Sequence, residues 1–422
     1  MTQQKITLFD DKRIILGITG SIAAYKAVDL ASKLTQAGAK VDVLMTAAAQ
    51  KFVTPLAFQS VTGRPVYTDM WQADSSGGLP THIAHVGLAE GADVLLIAPC
   101  TANTLAKIAH GLADDLMSLT ALAARCPLVI APAMDGGMYE SDVTQFNLRV
   151  VKGRGVQVIE PDEGRFASGL AGKGRLPETP ALIGHLRRAL GRNGALNGRK
   201  IVVTAGGTRE AIDPVRYISN RSSGKQGYAL AQAALDAGAK TVILISAAQH
   251  LPAPVGATVV PVSSAAEMLY AVLEHTGDAD ALLMAAAVAD FTPQHVAAQK
   301  IKKTDDPNDA PVLALARTPD ILLVVKKRRA DTGFPRVVVG FAAESHDLLA
   351  NARAKLERKG LHLLVANDIT AEDAGFEVDT NRVVLLDAAG GQESLDLMSK
   401  AAVGEMIVRR VAVLLAAPTQ EG

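Results

Sequence analysis

The chain has 422 residues, 49% of them hydrophobic and 20% charged, and its 43 Lys+Arg balance 43 Asp+Glu for a formal net charge of zero. That length predicts two or three domains, the hydrophobic content excludes a disordered chain, and the charge balance excludes a global pull toward nucleic acid or anionic membrane. Two cysteines, Cys100 and Cys126, are too few for a disulfide framework or a Cys-rich metal site. The polar start Met1–Lys12 does not read as a secretory signal. The longest apolar run, Ala281–Ala289, falls far short of the ~20 residues of a spanning helix, so a cytoplasmic protein is expected.

In the first half, short runs rich in Val, Ile and Leu occur at Ile14–Ile18, Val41–Met45, Val94–Ala98 and Leu128–Ala131. In the second half they recur at Ile201–Thr204, Val242–Ser246, Ala281–Ala287, Val337–Phe341, Leu361–Ala366 and Val383–Leu386. Continuous hydrophobicity predicts strands buried on both faces. Ala-rich segments such as Ile22–Ala37 and Tyr228–Ala237 predict helices, and Gly38 and Gly238 stop them. The alternation predicts an α/β chain of two doubly wound, parallel-sheet, Rossmann-like domains. A Pro-punctuated stretch, Leu176–Pro180, a short helix over Ala181–Leu190 and the Gly/Asn-rich Gly191–Gly198 mark a seam. The expected domains are 1–190 and 191–422.

Gly17-Ile18-Thr19-Gly20-Ser21 joins the first strand to the first helix, where small residues let the backbone approach a phosphate at a helix N-terminus. It reads equally as an ordinary turn capped by Ser21, because G-x-G-x-x-G is absent. Thr46-Ala47-Ala48 and Thr101-Ala102-Asn103-Thr104 are hydroxyl-bearing turns at two further strand ends. The carboxyl edge of a parallel sheet is where ligands bind, so three such ends point to a mononucleotide-type site. His82 and His85 lie between these turns. Either suits general acid–base work or a plain structural role, and no third ligand accompanies them for a metal.

In the second half, Thr204-Ala205-Gly206-Gly207-Thr208-Arg209-Glu210 again joins a strand to a Gly-rich turn. Ser222-Ser223-Gly224-Lys225 is not a P-loop, since Ser219 stands where the first Gly is needed and Gln226 follows the Lys. It remains a good anion cradle before an Ala-rich helix. Lys300-Ile301-Lys302-Lys303 follows the strand end at Asp290, an acid placed to position Mg²⁺ beside phosphate, whereas Lys326–Arg329 reads as solvated surface.

Gly17–Lys26, Ala98–Thr104 and Pro132–Tyr139 resemble the flavin-dependent cysteine decarboxylase family. The resemblance implies a flavodoxin-like domain holding FMN through Gly20, Ser21, Ile22, Thr46, Thr101, Asn103, Thr104 and Ser118, with His85 catalytic. Two positions depart from that family: Asp135 replaces its usual Asn, and Ser168 replaces the Cys that donates a proton from its substrate loop. An ionised Asp repels a substrate carboxylate, and a hydroxyl is a far weaker acid than a thiol. Either another group protonates the intermediate, or this step is slow or lost.

Thr204–Glu210, Asp213–Asn220, Ser222–Lys225, Ala286–Asp290, Lys300–Lys303, Gly340–Glu344 and Ala366–Asp368 resemble phosphopantothenate–cysteine ligases. The whole chain therefore resembles the bifunctional decarboxylase–ligases of coenzyme A synthesis. That implies CTP-dependent joining of 4′-phosphopantothenate to cysteine through an acyl-cytidylate, then decarboxylation on FMN. Asn220 and Arg216 would serve the acyl intermediate. Met284, Ala285, Ala286, Asp290, Lys300, Pro319, Asp320, Ile321, Leu322, Phe341, Lys355 and Lys359 would hold CTP, with Asp290 on Mg²⁺. The family also implies a homo-oligomer of trimeric flavin domains and dimeric ligase domains. The alternatives are an active ligase with a flavin domain kept as an assembly scaffold, and a non-catalytic flavin-binding regulatory subunit.

Overall fold

The computed structural model describes residues 6–71, 84–165, 169–302, 312–344, 348–368 and 378–417. His82 and Ser168 lie outside them, and of His85 only the backbone is described, in the helix Ala84–Glu90. The chain divides into two compact units, Met1–Gly191 and Arg192–Gly422.

The first unit is built on β1 (Arg13–Ile18), β2 (Lys40–Met45), β3 (Val66–Tyr67), β4 (Val94–Cys100), β5 (Leu128–Pro132) and β6 (Gln157–Val158), in the order β3-β2-β1-β4-β5-β6. All five pairings are parallel. Parallel strands need crossovers, and the helices that supply them cover both faces, which is why β4 is buried at every residue. The expected helix Ile22–Ala37 begins as a 3₁₀ turn over Ile22–Tyr25 and becomes α-helical over Lys26–Gln36. That α-helix buries Ala27, Leu30, Ala31 and Leu34, the i, i+3, i+4, i+7 spacing of one face. A hairpin of β7 (Asp162–Arg165) and β8 (Ala171–Arg175) flanks this sheet. Met134 N–H donates to Gly174 O (3.0 Å), tying the hairpin to the end of β5.

The second unit carries β9 (Lys200–Ala205), a short pair β10 (Arg209–Ala211) and β11 (Tyr217–Ser219), β12 (Thr241–Ser246), β13 (Ala257–Pro261) and β14 (Ala281–Met284). A second short pair, β15 (Phe291–Pro293) and β16 (Leu315–Arg317), is followed by β17 (Val337–Glu344), β18 (Leu363–Asp368), β19 (Thr380–Asp387) and β20 (Gln392–Ser399). Its main sheet runs β13-β12-β9-β14-β17-β18-β19-β20. The sheet is parallel through β18, and β19 and β20 add an antiparallel edge. The turn between β19 and β20, with Gly390 at φ +94°, is too short for a crossover, so these strands can only reverse direction. The apolar run Ala281–Ala287 is a strand only to Met284, because Ala286 N–H turns to Thr204 Oγ1 (3.1 Å) and Ala287 N–H to Gly206 O (2.9 Å).

One face of this sheet is covered by the helices Lys225–Asp236 and Lys400–Ala416. They pack closely because Gly404 lacks a side chain; a Cβ there would sit 3.1 Å from Ala229 O. Fully burying each Val, Leu or Ile of such a core contributes ~1.5–3 kcal/mol.

Candidate functional site

In the first unit, the ends of β1, β2, β4 and β5 converge. Gly20 leaves no room for a side chain, since a Cβ would lie 2.5 Å from Ala48 Cβ. Ser21 Oγ accepts from Ala23 N–H (3.3 Å), which caps the turn that Ile22 begins. Thr46 Oγ1 accepts from Ala49 N–H (3.2 Å). Thr101 caps the helix Ala102–His110, its Oγ1 accepting from Thr104 N–H (3.4 Å), while Asn103 is exposed and Thr104 buried. Thr19 Oγ1 donates to Pro99 O (2.7 Å) and accepts from Thr101 N–H (3.0 Å), locking the β1 and β4 turns together. The result is a small-residue edge with two helical N-termini, a fit for an FMN phosphate. Ser118 is buried, and its hydroxyl donates to Asp115 Oδ1 (2.8 Å) within a capping box, so the structure gives it a helix-capping task. A cavity of about 240 Å³ lies beside Met45–Ala47, Thr68–Trp71 and Asp114–Met117.

Asp135, three residues beyond β5, caps the helix Gly136–Glu140, its Oδ1 accepting from Gly137 N–H (3.2 Å). The thiol of Cys100 is fully buried and pushed up to about 12 by that burial, so it cannot stand in as a proton donor. Tyr139 donates to Glu160 Oε2 (2.9 Å), and Glu160 also pairs with Lys152 and Lys173 (2.8 Å each). Those two lysines hold Glu160 down to about 2, whereas burial and the carboxylate push Tyr139 up to about 12.

In the second unit, a cleft of about 500 Å³ opens at the carboxyl ends of β14, β17 and β18. Asn220 lines it, with Nδ2 donating to Val288 O (3.0 Å). Met284, Ala285, Ala286 and Asp290 form its β14 wall. Thr318 N–H donates to Asp290 O (3.0 Å), which brings in the next segment. There Pro319 precedes Asp320, whose Oδ1 accepts from Leu323 N–H (3.3 Å) to start the helix Ile321–Thr332, placing Ile321 and Leu322 on the lining. Phe341 on β17 and the pair Lys355 and Lys359 complete this wall, with Lys359 Nζ 3.2 Å from Asp320 Oδ2.

Arg216 and Lys300 do not line the cleft. Asp213 binds both of their segments: it accepts from Arg216 Nε (2.9 Å) and from Ile301 N–H (3.2 Å), and Arg216 Nη2 donates to Ile301 O (2.7 Å). Arg216 therefore holds the Asp213 carboxyl well below the usual range. Glu210, part of the quoted motif, is buried and accepts from Ala265 N–H (2.8 Å), a structural task. Ser222, Gly224 and Gln226 of the neighbouring turn also face the cleft, as do Asn367, Asn381 and Lys400. Asn381 and Lys400 carry no motif that singles them out in the sequence. Among the described residues no cluster of three acidic, His or Cys side chains is placed to hold a metal, and Asp290 and Asp320 are the carboxylates on the cleft lining. No helix among the described residues is long and apolar enough to cross a membrane.

A family model described as flavoprotein matches residues 4–191, and one described as DNA/pantothenate metabolism flavoprotein C-terminal domain matches residues 196–414. The chain is thus a two-unit α/β flavoprotein with a cleft at the carboxyl edge of the second sheet. The coenzyme A biosynthesis bifunctional protein CoaBC of Bacillus subtilis (strain 168) is 44% identical over 410 residues, covering 96% of this chain and 98% of that one. Its counterpart in Vibrio vulnificus (strain YJ016) is 42% identical over 404 residues, covering 96% and 98%. A crystal structure of the C-terminal domain of a CoaBC protein is 36% identical, with TM-score 0.43, over 53% of this chain and 98% of that one. The chain belongs to the family of coenzyme A biosynthesis bifunctional proteins CoaBC.

Proposed function

We propose that the second unit joins 4′-phosphopantothenate to cysteine at the expense of CTP, and that the first unit decarboxylates the product with FMN. The observation that carries this reading is the convergence on one cleft of segments far apart in sequence, namely Asn220, Met284–Asp290, Pro319–Leu322, Phe341 and Lys355 with Lys359. Among them, Asn220 is assigned by the ligase resemblance to the acyl intermediate, and Met284, Ala285, Ala286, Asp290, Pro319–Leu322, Phe341, Lys355 and Lys359 to CTP.

A carboxylate does not condense with an amine near neutral pH, because oxide is a poor leaving group. In the proposed reaction a substrate carboxylate oxygen bonds to the α-phosphorus of CTP and pyrophosphate leaves. The cysteine nitrogen then bonds to the acyl carbon, the bond to CMP breaks, and the nitrogen loses a proton. Lys355 and Lys359 would offset the triphosphate charge, and Asp290 would hold a Mg²⁺ ion that adds to that neutralisation. The tether of Asn220 to Val288 O holds its amide at the cleft wall, where the acyl carbon would lie. Arg216 and Lys300, held together through Asp213 and Ile301, would approach the substrate from the cleft rim.

In the first unit, Gly20, Ser21 and Ile22 would supply backbone N–H groups to the FMN phosphate, and Thr101, Asn103 and Thr104 polar contacts from the adjoining turn. Bound FMN supplies a reversible two-electron oxidation that gives the electrons of decarboxylation a place to go. His85 would move the proton, and Asp135 and Ser168 would border the substrate. We further propose assembly through trimeric flavin units and paired ligase units. The exposed apolar residues Tyr217, Phe291 and Leu315 on the two short antiparallel pairs of the second unit, with Val215 in the loop before β11, favour such pairing.

The test supplies CTP, 4′-phosphopantothenate and cysteine to the full chain and follows CMP, CO₂ and 4′-phosphopantetheine by mass spectrometry. Formation of all three is expected, with His85→Asn stopping CO₂ release while CMP still forms. 4′-Phosphopantothenoylcysteine accumulating without CO₂ on FMN-loaded protein would refute the decarboxylase half, and absence of CMP the ligase half.

A further inference from the structure

The turn Ile212–Arg216, between β10 and β11, holds a carboxylate whose two oxygens have separate tasks. Asp213 Oδ1 accepts from Val215 N–H and Arg216 N–H (2.8 Å each), so the side chain folds the turn back on itself. Ile212 N–H (2.9 Å) and Asp213 N–H (3.3 Å) donate in return to Arg216 O, and the turn is closed by its own backbone. Asp213 Oδ2 has no part in this closure. It accepts from Arg216 Nε (2.9 Å), from Arg216 Nη2 and from Ile301 N–H (3.2 Å), which lies 88 residues further along the chain.

The Asp213 side chain is fully buried, whereas that of Arg216 keeps 45% of its exposure. A carboxylate removed from water needs a counter-charge and filled lone pairs. Arg216 supplies the charge and keeps Asp213 ionised, so Oδ2 can only accept. Arg216 Nη2 also donates to Ile301 O (2.7 Å), and Ala297 N–H donates to Ile212 O (3.0 Å). The segment Ala297–Lys302 is therefore docked on the turn through Ala297 and again through Ile301. Lys300 stands between these two anchors and is exposed.

We propose that Asp213 is a positioning residue of the ligase reaction: its Oδ2 joins Arg216 to the segment Ala297–Lys302, and this join sets where Lys300 meets the substrates. The proposal rests on the ligase reading for the reaction that Lys300 serves, but the join itself does not. Asp213 acts through Arg216 and Ile301. Because Arg216 commits Nε and Nη2 to the join, the shape of its fork matters as well as its charge.

Asp213→Asn separates the join from the turn. With the amide oxygen in the place of Oδ1, both hydrogen bonds of the turn remain. The amide nitrogen then faces the donors of Arg216 and Ile301 where an acceptor stood. In the full chain, kcat for CMP formation from CTP, 4′-phosphopantothenate and cysteine is expected to fall about 100-fold, the scale of a misplacement of about 1 Å. Calorimetric CMP affinity reports the cleft itself and should stay at its wild-type value, which a general loss of structure would not allow. Amide hydrogen exchange should rise over Ala297–Lys302 and stay unchanged at Val215 and Arg216. Thermal unfolding shows whether Asp213→Asn is folded. If it is not, Arg216→Lys, which keeps the charge and loses the Nε donor, decides by the same comparison. Wild-type kcat in the folded variant, CMP affinity that falls together with kcat, or unchanged exchange over Ala297–Lys302 overturns the proposal. The ligase reading fails separately, if the wild type forms no CMP; the exchange measurement then still decides whether Oδ2 makes the join.

Discussion

Gly227→Ala is the sharpest test of how the second unit builds its cleft. Gly227 lies in the first turn of the helix Lys225–Asp236, which rises from the phosphate-type turn and packs on the end of β9. A Cβ at this position would sit 2.5 Å from Ala205 Cβ, 2.7 Å from Thr204 O and 2.9 Å from Ala205 Cα. Ordinary carbon contacts are about 3.5–4.0 Å, so roughly 1 Å of separation must be found. The obstacles are backbone and a Cβ, which cannot rotate away, so the helix start must move. Overpacking of this kind costs about 1–3 kcal/mol, and a unit of this size loses about 2–4 °C of Tm per kcal/mol. The same displacement carries Gly224 and Gln226 off the cleft, and a misplacement of about 1 Å can cost about 100-fold in turnover. Differential scanning calorimetry should show the second unit's transition falling by several degrees, and CMP formation should drop steeply. Gly17→Ala is the control: its Cβ would meet Met117 Sδ at 2.5 Å, the far end of a flexible side chain, so a smaller loss is expected. A Gly227→Ala protein with wild-type Tm and wild-type CMP formation would refute the packing argument.

Three further outcomes are expected. His362 Nδ1 accepts from Val338 N–H (3.0 Å) and lies 3.2 Å from Arg329 Nη1, and burial, then Arg329, push the imidazole down to about 4. Its folded pKa lies below the unfolded 6.5, so its contribution is complete above pH 6.5 and is lost as pH falls through 4; urea titrations should show the wild type losing stability between pH 6.5 and 4 more steeply than His362→Asn, and parallel losses would refute the assignment. Asp135→Asn keeps a side chain able to cap Gly136–Glu140 while removing the negative charge, so KM for 4′-phosphopantothenoylcysteine in a CO₂-release assay should fall without a drop in Tm. An unchanged KM would show that Asp135 does not face the substrate carboxylate. Asp42, fully buried on β2, pairs with Arg13 Nε (2.6 Å) and Arg64 Nη2 (2.7 Å). Asp42→Ala should destabilise the first unit by about 2 kcal/mol, below the ~3–5 kcal/mol of a fully buried broken pair, because both arginines keep some access to water; guanidinium unfolding of the first unit reads it.

The central strands were legible because a strand covered on both faces must be apolar throughout, as β4 and β9 are. The short antiparallel pairs were not. Asp162–Arg165 reads Asp-Glu-Gly-Arg, and its pairing with β8 leaves no apolar alternation to detect. β13 is half-exposed at the sheet edge, which removes the continuous run that marked its neighbours. The antiparallel edge β19–β20 was readable as strand at Val383–Leu386 but not in direction, since direction depends on the length of the connection.

The same division runs through the cleft. Ala285–Asp290 stand out in the sequence as a strand end followed by an acid, whereas Asn220 is singled out only by the ligase resemblance. Ala285–Ala287 even extend an apolar run, and only the hydrogen bonds of Thr204 and Gly206 show that the strand has already ended. Lys400 is the opposite case. In sequence it is a lysine after a helix-capping Ser399, a position where a solvated cation is ordinary. Its burial follows from three distant events: the reversal of β19 and β20, the close helix contact at Gly404, and the hydrogen bond from Gln226. A local pattern cannot encode a charge whose environment is assembled from segments more than a hundred residues apart. A buried lysine of this kind becomes visible only once the fold has brought Gln226 and Lys400 together.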